Sequence, residues 1–275
     1  MATNDKRLIV SEFDFDDVKN NLKTFLEAQD EFTDFNFEGS GISVLLDVLA
    51  YNTHYLGFNM NMLANEMFLD SSSLRSSVTS HAKTLGYEPA SARAPKAVID
   101  VTLFDSVKAT GSIPAGTVFT SSVNDVSYKF VTVNEFTASN SGNSIPFLSV
   151  PIYEGTFITT QYTVDSSDVD QRFVLTNNRA DTNTLTVTVQ TSATDTSSTT
   201  YTKTTDISQV TSTSANYFLQ EVENGLFEVY FGDGILGKSI SDGNIVVLTY
   251  VVTNRTDANT ATSFSNAAAI DTVVD

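Results

Sequence analysis

Apolar residues follow a helical period in the first third of the chain and a period of two afterwards. Residues 14–29 predict a first helix. Val18, Leu22, Phe25 and Leu26 fall on one stripe, and Asp14, Asp16 and Asp17 stand where the helix dipole favours negative charge. Gly39-Ser40-Gly41 permits a sharp entry into a second, longer helix running to about Leu69. Here Ile42, Leu46, Leu49, Thr53, Leu56, Met60, Leu63 and Met67 recur at alternating spacings of four and three, a sustained heptad seam. Val44, Val48, Tyr51, Tyr55, Phe58 and Met62 repeat that spacing on another face. A third helix is expected over residues 73–85, with Leu74, Val78, His81, Ala82 and Leu85 as its stripe. Asp70 or one of Ser71, Ser72 and Ser73 can cap its start, and Gly86 can close its end.

Two apolar seams on one helix cannot both be covered by a single neighbour, so the second helix belongs inside a bundle. At about 1.5 Å per residue it is roughly 40 Å long, and the shorter flanking helices cover only part of it. Completion by another chain is therefore expected; the alternative is that the β-rich half packs there. The residues assigned to that interface are Ile42, Leu46, Leu49, Thr53, Leu56, Met60, Leu63 and Met67, with Tyr51, Tyr55 and Phe58 from the second face. Between them Asn52, Asn59, Asn61 and Asn65 are unusual, because Asn is a middling helix former. Asn61 and Asn65 are expected to face water; Asn52 and Asn59 fit either water or a register-setting place in the bundle.

Gly86 to Pro95, with one Gly and two Pro, stops the helices and starts a connector. Beyond it the chain is rich in Thr, Ser, Val and Asn. Ile99, Val101 and Leu103 alternate with Asp100, Thr102 and Phe104, and Leu185, Val187 and Val189 alternate with Thr. Ile113-Pro114-Ala115-Gly116-Thr117 is a turn, Val118 to Phe136 a hairpin, and residues 147–164 a strand pair interrupted at Pro151 and at Glu154-Gly155. Residues 227–231 and 245–252 are the most hydrophobic strands, joined through Gly232-Asp233-Gly234 and Gly243-Asn244. Residues 191–214 hold sixteen Ser or Thr in twenty-four positions and read as exposed hairpin strands or a long loop. The fold class is α+β: residues 1–90 are a helical, bundle-forming assembly domain, and residues 91–275 a β-rich antiparallel sandwich or open barrel.

Composition removes most chemistry. The 275 residues carry 33 acidic and 15 basic side chains, a net charge of −18, with no Cys, no Trp and two His. Thiolate metal sites, disulfides and cysteine nucleophiles are excluded, and the acidic balance speaks against nucleic-acid binding. No Lys or Arg occurs between Lys23 and Arg75, against eight Asp or Glu, so a partner there should be basic or neutral. Phe32, Phe35 and Phe37 alternate with acids in an acidic connector and must dock on the chain's own core or on a partner. Met1 to Ser11 shows no secretory signal, and the apolar stretch 42–69 is too polar for a membrane span. Gly232-Asp233-Gly234 lacks calcium-loop spacing and precedes no helix, so it reads as a tight turn. His54 and His81 read as packing residues, no Ser lies in a nucleophile-elbow context, and no catalytic residue, metal site or cofactor is assigned.

One family shares these features. Phe37-Glu38-Gly39-Ser40, Leu45-Leu46-Asp47-Val48-Leu49-Ala50-Tyr51-Asn52-Thr53, Leu74-Arg75-Ser76-Ser77-Val78 and Gly86-Tyr87 followed by Pro89 carry the resemblance. Ile113-Pro114-Ala115-Gly116-Thr117, Phe231-Gly232-Asp233-Gly234, Tyr250-Val251-Val252-Thr253-Asn254 and Ala258-Asn259 continue it. The sequence resembles the baseplate wedge subunits of contractile-tailed phages, in the baseplate J-like group, over most of residues 35–265. That resemblance implies a structural virion protein of the tail baseplate, assembled in the host cytoplasm. Its implied partners are a second copy of itself, another wedge subunit sharing the helical bundle, and further wedge and sheath-initiator-type baseplate proteins. It also implies a ring around the central hub that relays the contraction signal. Members from large phages continue beyond the β region into a domain that helps close the ring; this sequence corresponds to a short member or to a piece of a longer one. Two other classes fit the texture less well. One is a β-rich surface adhesin or glycan-binding protein, suggested by the Thr- and Ser-rich strands; the other is a carboxylate hydrolase, for which no acid pair stands out.

Overall fold

A computed structural model describes residues 14–29, 39–104, 108–168, 171–204, 206–267 and 270. The connector bearing Phe32, Phe35 and Phe37, and the last five residues, lie outside them. The chain divides into two compact units, Met1–Glu88 and Pro89–Asp275.

Among the described residues the first unit holds three helices. Helix α1 (Phe15–Glu27) begins where the Asp14 side chain accepts the Asp16 N–H. Its Val18, Leu22 and Leu26 are half-buried, while Phe25 remains exposed. Helix α2 (Gly41–Glu66) is opened by the Ser40 hydroxyl, which accepts the Ser43 N–H at 3.0 Å. Helix α3 (Arg75–Thr84) differs from the expected capping: none of Asp70, Ser71, Ser72 or Ser73 caps it, and Leu74 occupies the cap position. Glu66 serves instead, reaching forward from the end of α2 to accept the Ser73 and Leu74 N–H groups and the Ser73 hydroxyl. These bonds satisfy N–H groups at the entry to the helix, ahead of its first internal bond from the Val78 N–H to the Leu74 carbonyl. Gly86 closes α3 as expected, in the left-handed region at φ +72, with the Tyr87 N–H returning to the Ala82 carbonyl.

The described residues of the second unit form two sheets and a ribbon. Strands β1 (Lys96–Phe104), β3 (Val118–Val123), β4 (Val126–Thr132), β6 (Ser144–Glu154) and β14 (Ser265–Asn266) form one sheet in the order β1-β6-β4-β3-β14. Strands β2 (Thr110–Ile113) and β5 (Phe136–Ser139) pair separately. The alternation read from the sequence is present in β1, where Ala97, Ile99, Val101 and Leu103 pack on a core of Ile113, Phe119, Phe130, Ile145, Phe147, Val150 and Ile152. The β3–β4 hairpin turns at Asn124 and Asp125, both at positive φ, residue types that tolerate it. Pro151 does not interrupt its strand: it lies inside β6 opposite Val98, and the β4 ladder begins only at Ile152.

Strands β7 (Thr156–Thr163), β8 (Phe173–Leu175), β9 (Ala180–Gln190), β10 (Ser198–Lys203), β11 (Asn216–Glu221), β12 (Phe227–Phe231) and β13 (Ile245–Val252) build the second sheet, in the order β7-β13-β9-β10-β11-β12-β8. Its pairings are antiparallel except β10–β11, which is parallel. The two end strands come together: Tyr162 donates its hydroxyl to the Val174 carbonyl at 2.6 Å and packs edge-on against Phe173. The sheet is thus a nearly closed barrel around Val187, Phe227, Val229, Val246, Leu248 and Tyr250. The Ser- and Thr-rich tract supplies β10 and its flanking turns. The hydrophobic strands β12 and β13 are not neighbours, so Gly232-Asp233-Gly234 opens a crossing connection rather than a hairpin.

The chain passes from the first sheet to the second at Gly155. Its φ is +131, and a Cβ there would lie 2.2 Å from the Val252 carbonyl oxygen. Beside it Glu154, fully buried, accepts from the Thr253 hydroxyl, the Asn254 N–H and the Asn254 side-chain amide. Three donors on one carboxylate make that burial tolerable.

Candidate functional site

Helix α2 has a single internal stripe. Ser43, Leu46, Ala50 and Gly57 are buried, and three of these four are among the smallest side chains. Next to the stripe runs a polar column at seven-residue spacing, Asp47, His54 and Asn61, of which Asp47 pairs with Lys19 of α1. His54 is exposed, whereas His81 of α3 is half-buried with its Nε2 3.0 Å from the Glu66 carbonyl. This side of α2 is the one its own unit covers.

The remaining sides carry two exposed apolar series, with Asn52 and Asn59 between them. Of the first seam, Leu46 is buried and Ile42 and Thr53 are half-buried, the Thr53 hydroxyl donating to the Leu49 carbonyl. Leu49, Leu56, Met60, Leu63 and Met67 are exposed, from 46% at Leu49 to 66% at Leu63. The second series is exposed throughout: Val44, Val48, Tyr51, Tyr55, Phe58 and Met62. The rings of Tyr51 and Tyr55 stack with centroids 6.3 Å apart. Leu45, Phe68, Leu69 and Leu74 extend the exposed surface beyond the residues assigned from periodicity. Leu45 had its own signal, since Val44-Leu45-Leu46 cannot all face one direction on a helix.

Monomers seldom leave contiguous apolar surface on this scale uncovered, and patches of this kind mark interaction sites. The face is also uncharged. Within α2 the only carboxylates are Asp47, on the covered side, and Glu66 at its last residue. The Ser77 side chain, as the largest cause, then the Ser73 N–H, and with them the Ser73 hydroxyl and the Leu74 N–H, hold the Glu66 carboxyl down at about 2 by hydrogen bonding. Among the described residues no group of three or more His, Cys, Asp or Glu could hold a metal ion. Among them, too, no helix is long and apolar enough to cross a membrane.

Residues 14–87, which contain all of this surface, match the family model "Baseplate wedge protein gp6-like, helical domain". In sequence this segment is similar to the gp6-like baseplate wedge helical domain. Similarity extends past the gp6-like domain: the chain is 30% identical over 272 residues to baseplate wedge protein gp6 of Enterobacteria phage T4. That alignment covers 92% of this chain and 40% of the phage T4 protein, so the chain spans less than half of that relative's length. The recognition of a baseplate wedge subunit, made above from short motifs, agrees with both comparisons. The helices that carry the gp6-like match are the ones that leave an apolar face open.

Proposed function

We propose that the chain is a structural component of a phage tail baseplate, and that the exposed face of α2 is where it joins its neighbours. The observation that carries this reading is a row of large apolar side chains along a 26-residue helix, without a charge among them. Residues 1–90 act as the assembly module and residues 91–275 as the β-rich module. Ile42, Leu49, Thr53, Leu56, Met60, Leu63 and Met67 form one contact line, and Tyr51, Tyr55 and Phe58 belong to the other. Leu46 supports the first line from inside.

A second copy of the chain and another wedge subunit share the bundle, with further wedge and sheath-initiator-type proteins around it. Neither nucleic acid nor membrane is a partner, and the role is scaffolding rather than catalysis. Assembled wedges form a ring around the hub, and the ring passes on the contraction signal. Imaging of the tail baseplate at a resolution that shows helices tests the reading. Foreign helices should lie against both contact lines of α2, with the chain present in two conformations per wedge. An α2 wrapped only by its own polypeptide in the mature particle would overturn it.

A further inference from the structure

The centre of the open face is not apolar. At seven-residue spacing Leu45, Asn52 and Asn59 form a column between Val48-Tyr55-Met62 on one side and Leu49-Leu56-Leu63 on the other. The internal stripe Ser43-Ala50-Gly57 and the polar column Asp47-His54-Asn61 lie on the opposite side of the helix. Both Asn52 and Asn59 are exposed, and neither amide has a hydrogen-bond partner among the described residues. Any arrangement that covers both flanking columns buries these two amides, and a buried amide must find a partner. Two amides about 10 Å apart along the axis therefore demand two polar layers at the same spacing from whatever packs there.

We infer that Asn52 and Asn59 are the specificity-determining residues of this face, pairing with Asn52 and Asn59 of a second copy in parallel register. The inference rests on the bundle reading above. A second copy supplies amides at the required spacing without adjustment. Its approach along this face brings no like charges together, although the chain carries −18 overall. Parallel alignment sets like against like at both layers, whereas any slip by less than a heptad leaves amides against Leu, Tyr or Met. One polar residue at a bundle core position is enough to fix register and partner number at some cost in stability.

Because the chain contains no Cys, single-cysteine variants give an unambiguous readout. The full-length variants Asn52→Cys and Asn61→Cys are oxidised side by side, and covalent dimer is measured. In-register pairing gives at least ten-fold more dimer for Asn52→Cys than for Asn61→Cys, which sits on the opposite side. Equal yields, or no dimer from either, overturn the inference. Sedimentation of the double variant Asn52→Leu/Asn59→Leu provides the second arm. It should raise the apparent association constant at least ten-fold and replace one discrete species by a mixture; an unchanged single species overturns the specificity role. Adding Leu49→Asp to Asn52→Cys separates the two claims. Where Asn52→Cys and Asn61→Cys give equal yields of dimer, loss of cross-linking on adding Leu49→Asp leaves the bundle reading standing and removes only the amide layers. Cross-linking that survives Leu49→Asp overturns both.

Discussion

Leu56→Asp places a carboxylate in the middle of the open face. In the isolated chain Leu56 is 59% exposed, so complete coverage by a partner removes somewhat more than half of its surface from water. Full burial of a Leu side chain contributes about 1.5–3 kcal/mol, which makes the apolar part of the loss about 1–2 kcal/mol. An unpaired carboxylate at a desolvated position adds several kcal/mol. A total above about 4 kcal/mol corresponds to at least a roughly thousand-fold weaker association. The same change should barely affect the free chain. Exposed substitutions fall within about 0.5 kcal/mol, and the helix propensity of Asp adds a few tenths more. The assay is therefore a pair: incorporation of the variant into baseplates, and thermal unfolding of the purified chain followed on the β signal. Loss of incorporation with unchanged β unfolding is expected. Normal incorporation would refute the interface, and joint loss of both would show that α2 supports its own chain's core instead.

Three other outcomes test the β module and the helix junction. Gly155→Ala should destabilise the chain by more than about 3 kcal/mol in denaturant titrations, because the new Cβ meets the Val252 carbonyl at 2.2 Å and the φ of +131 is itself strained. Glu154→Leu leaves the donors of Thr253 and Asn254 without their acceptor and should cost about 3–6 kcal/mol by the same titration, with Glu154→Gln recovering part of it. The junction of α2 and α3 should be acid-sensitive. Glu66 has a folded-state value of about 2 against an ordinary 4.5, so its contribution is full above about 4.5 and is lost as pH falls toward 2. Amide shifts of Ser73 and Leu74 should move across that window in the wild type and stay flat in Glu66→Gln.

Period was the readable part of this chain. The heptad spacing from Ile42 to Met67 located α2 and its surplus of apolar surface, because a helix displays its sequence as columns whatever surrounds it. The strands with strict alternation were equally legible, since one face of each meets a core. Pairing was not: that β12 and β13 lie on different parts of the barrel, and that β10 runs parallel to β11, depends on contacts between distant segments. The capping of α3 was missed for a related reason. Local serines offer the usual cap pattern, but the helix begins just past them with Leu74 at the cap position, and the charged Glu66 carboxylate reaches the Ser73 and Leu74 N–H groups from the preceding helix. Leu46 was grouped with the open seam because spacing cannot tell which side of a helix its own flanking helices will take. The internal stripe of Ser43, Ala50 and Gly57 became visible only once α2 was seen beside α1 and α3.

Among the described residues the three helices bury just six residues, Ser43, Leu46, Ala50, Gly57, Thr79 and Ala82, and only one of them is large. So thin an interior leaves the helices dependent on mass action: their melting point should climb with protein concentration, while that of the barrel stays where it is. Ordering of the helices and docking of their neighbours then become a single reaction, in which the helical unit draws its stability from the partner it binds.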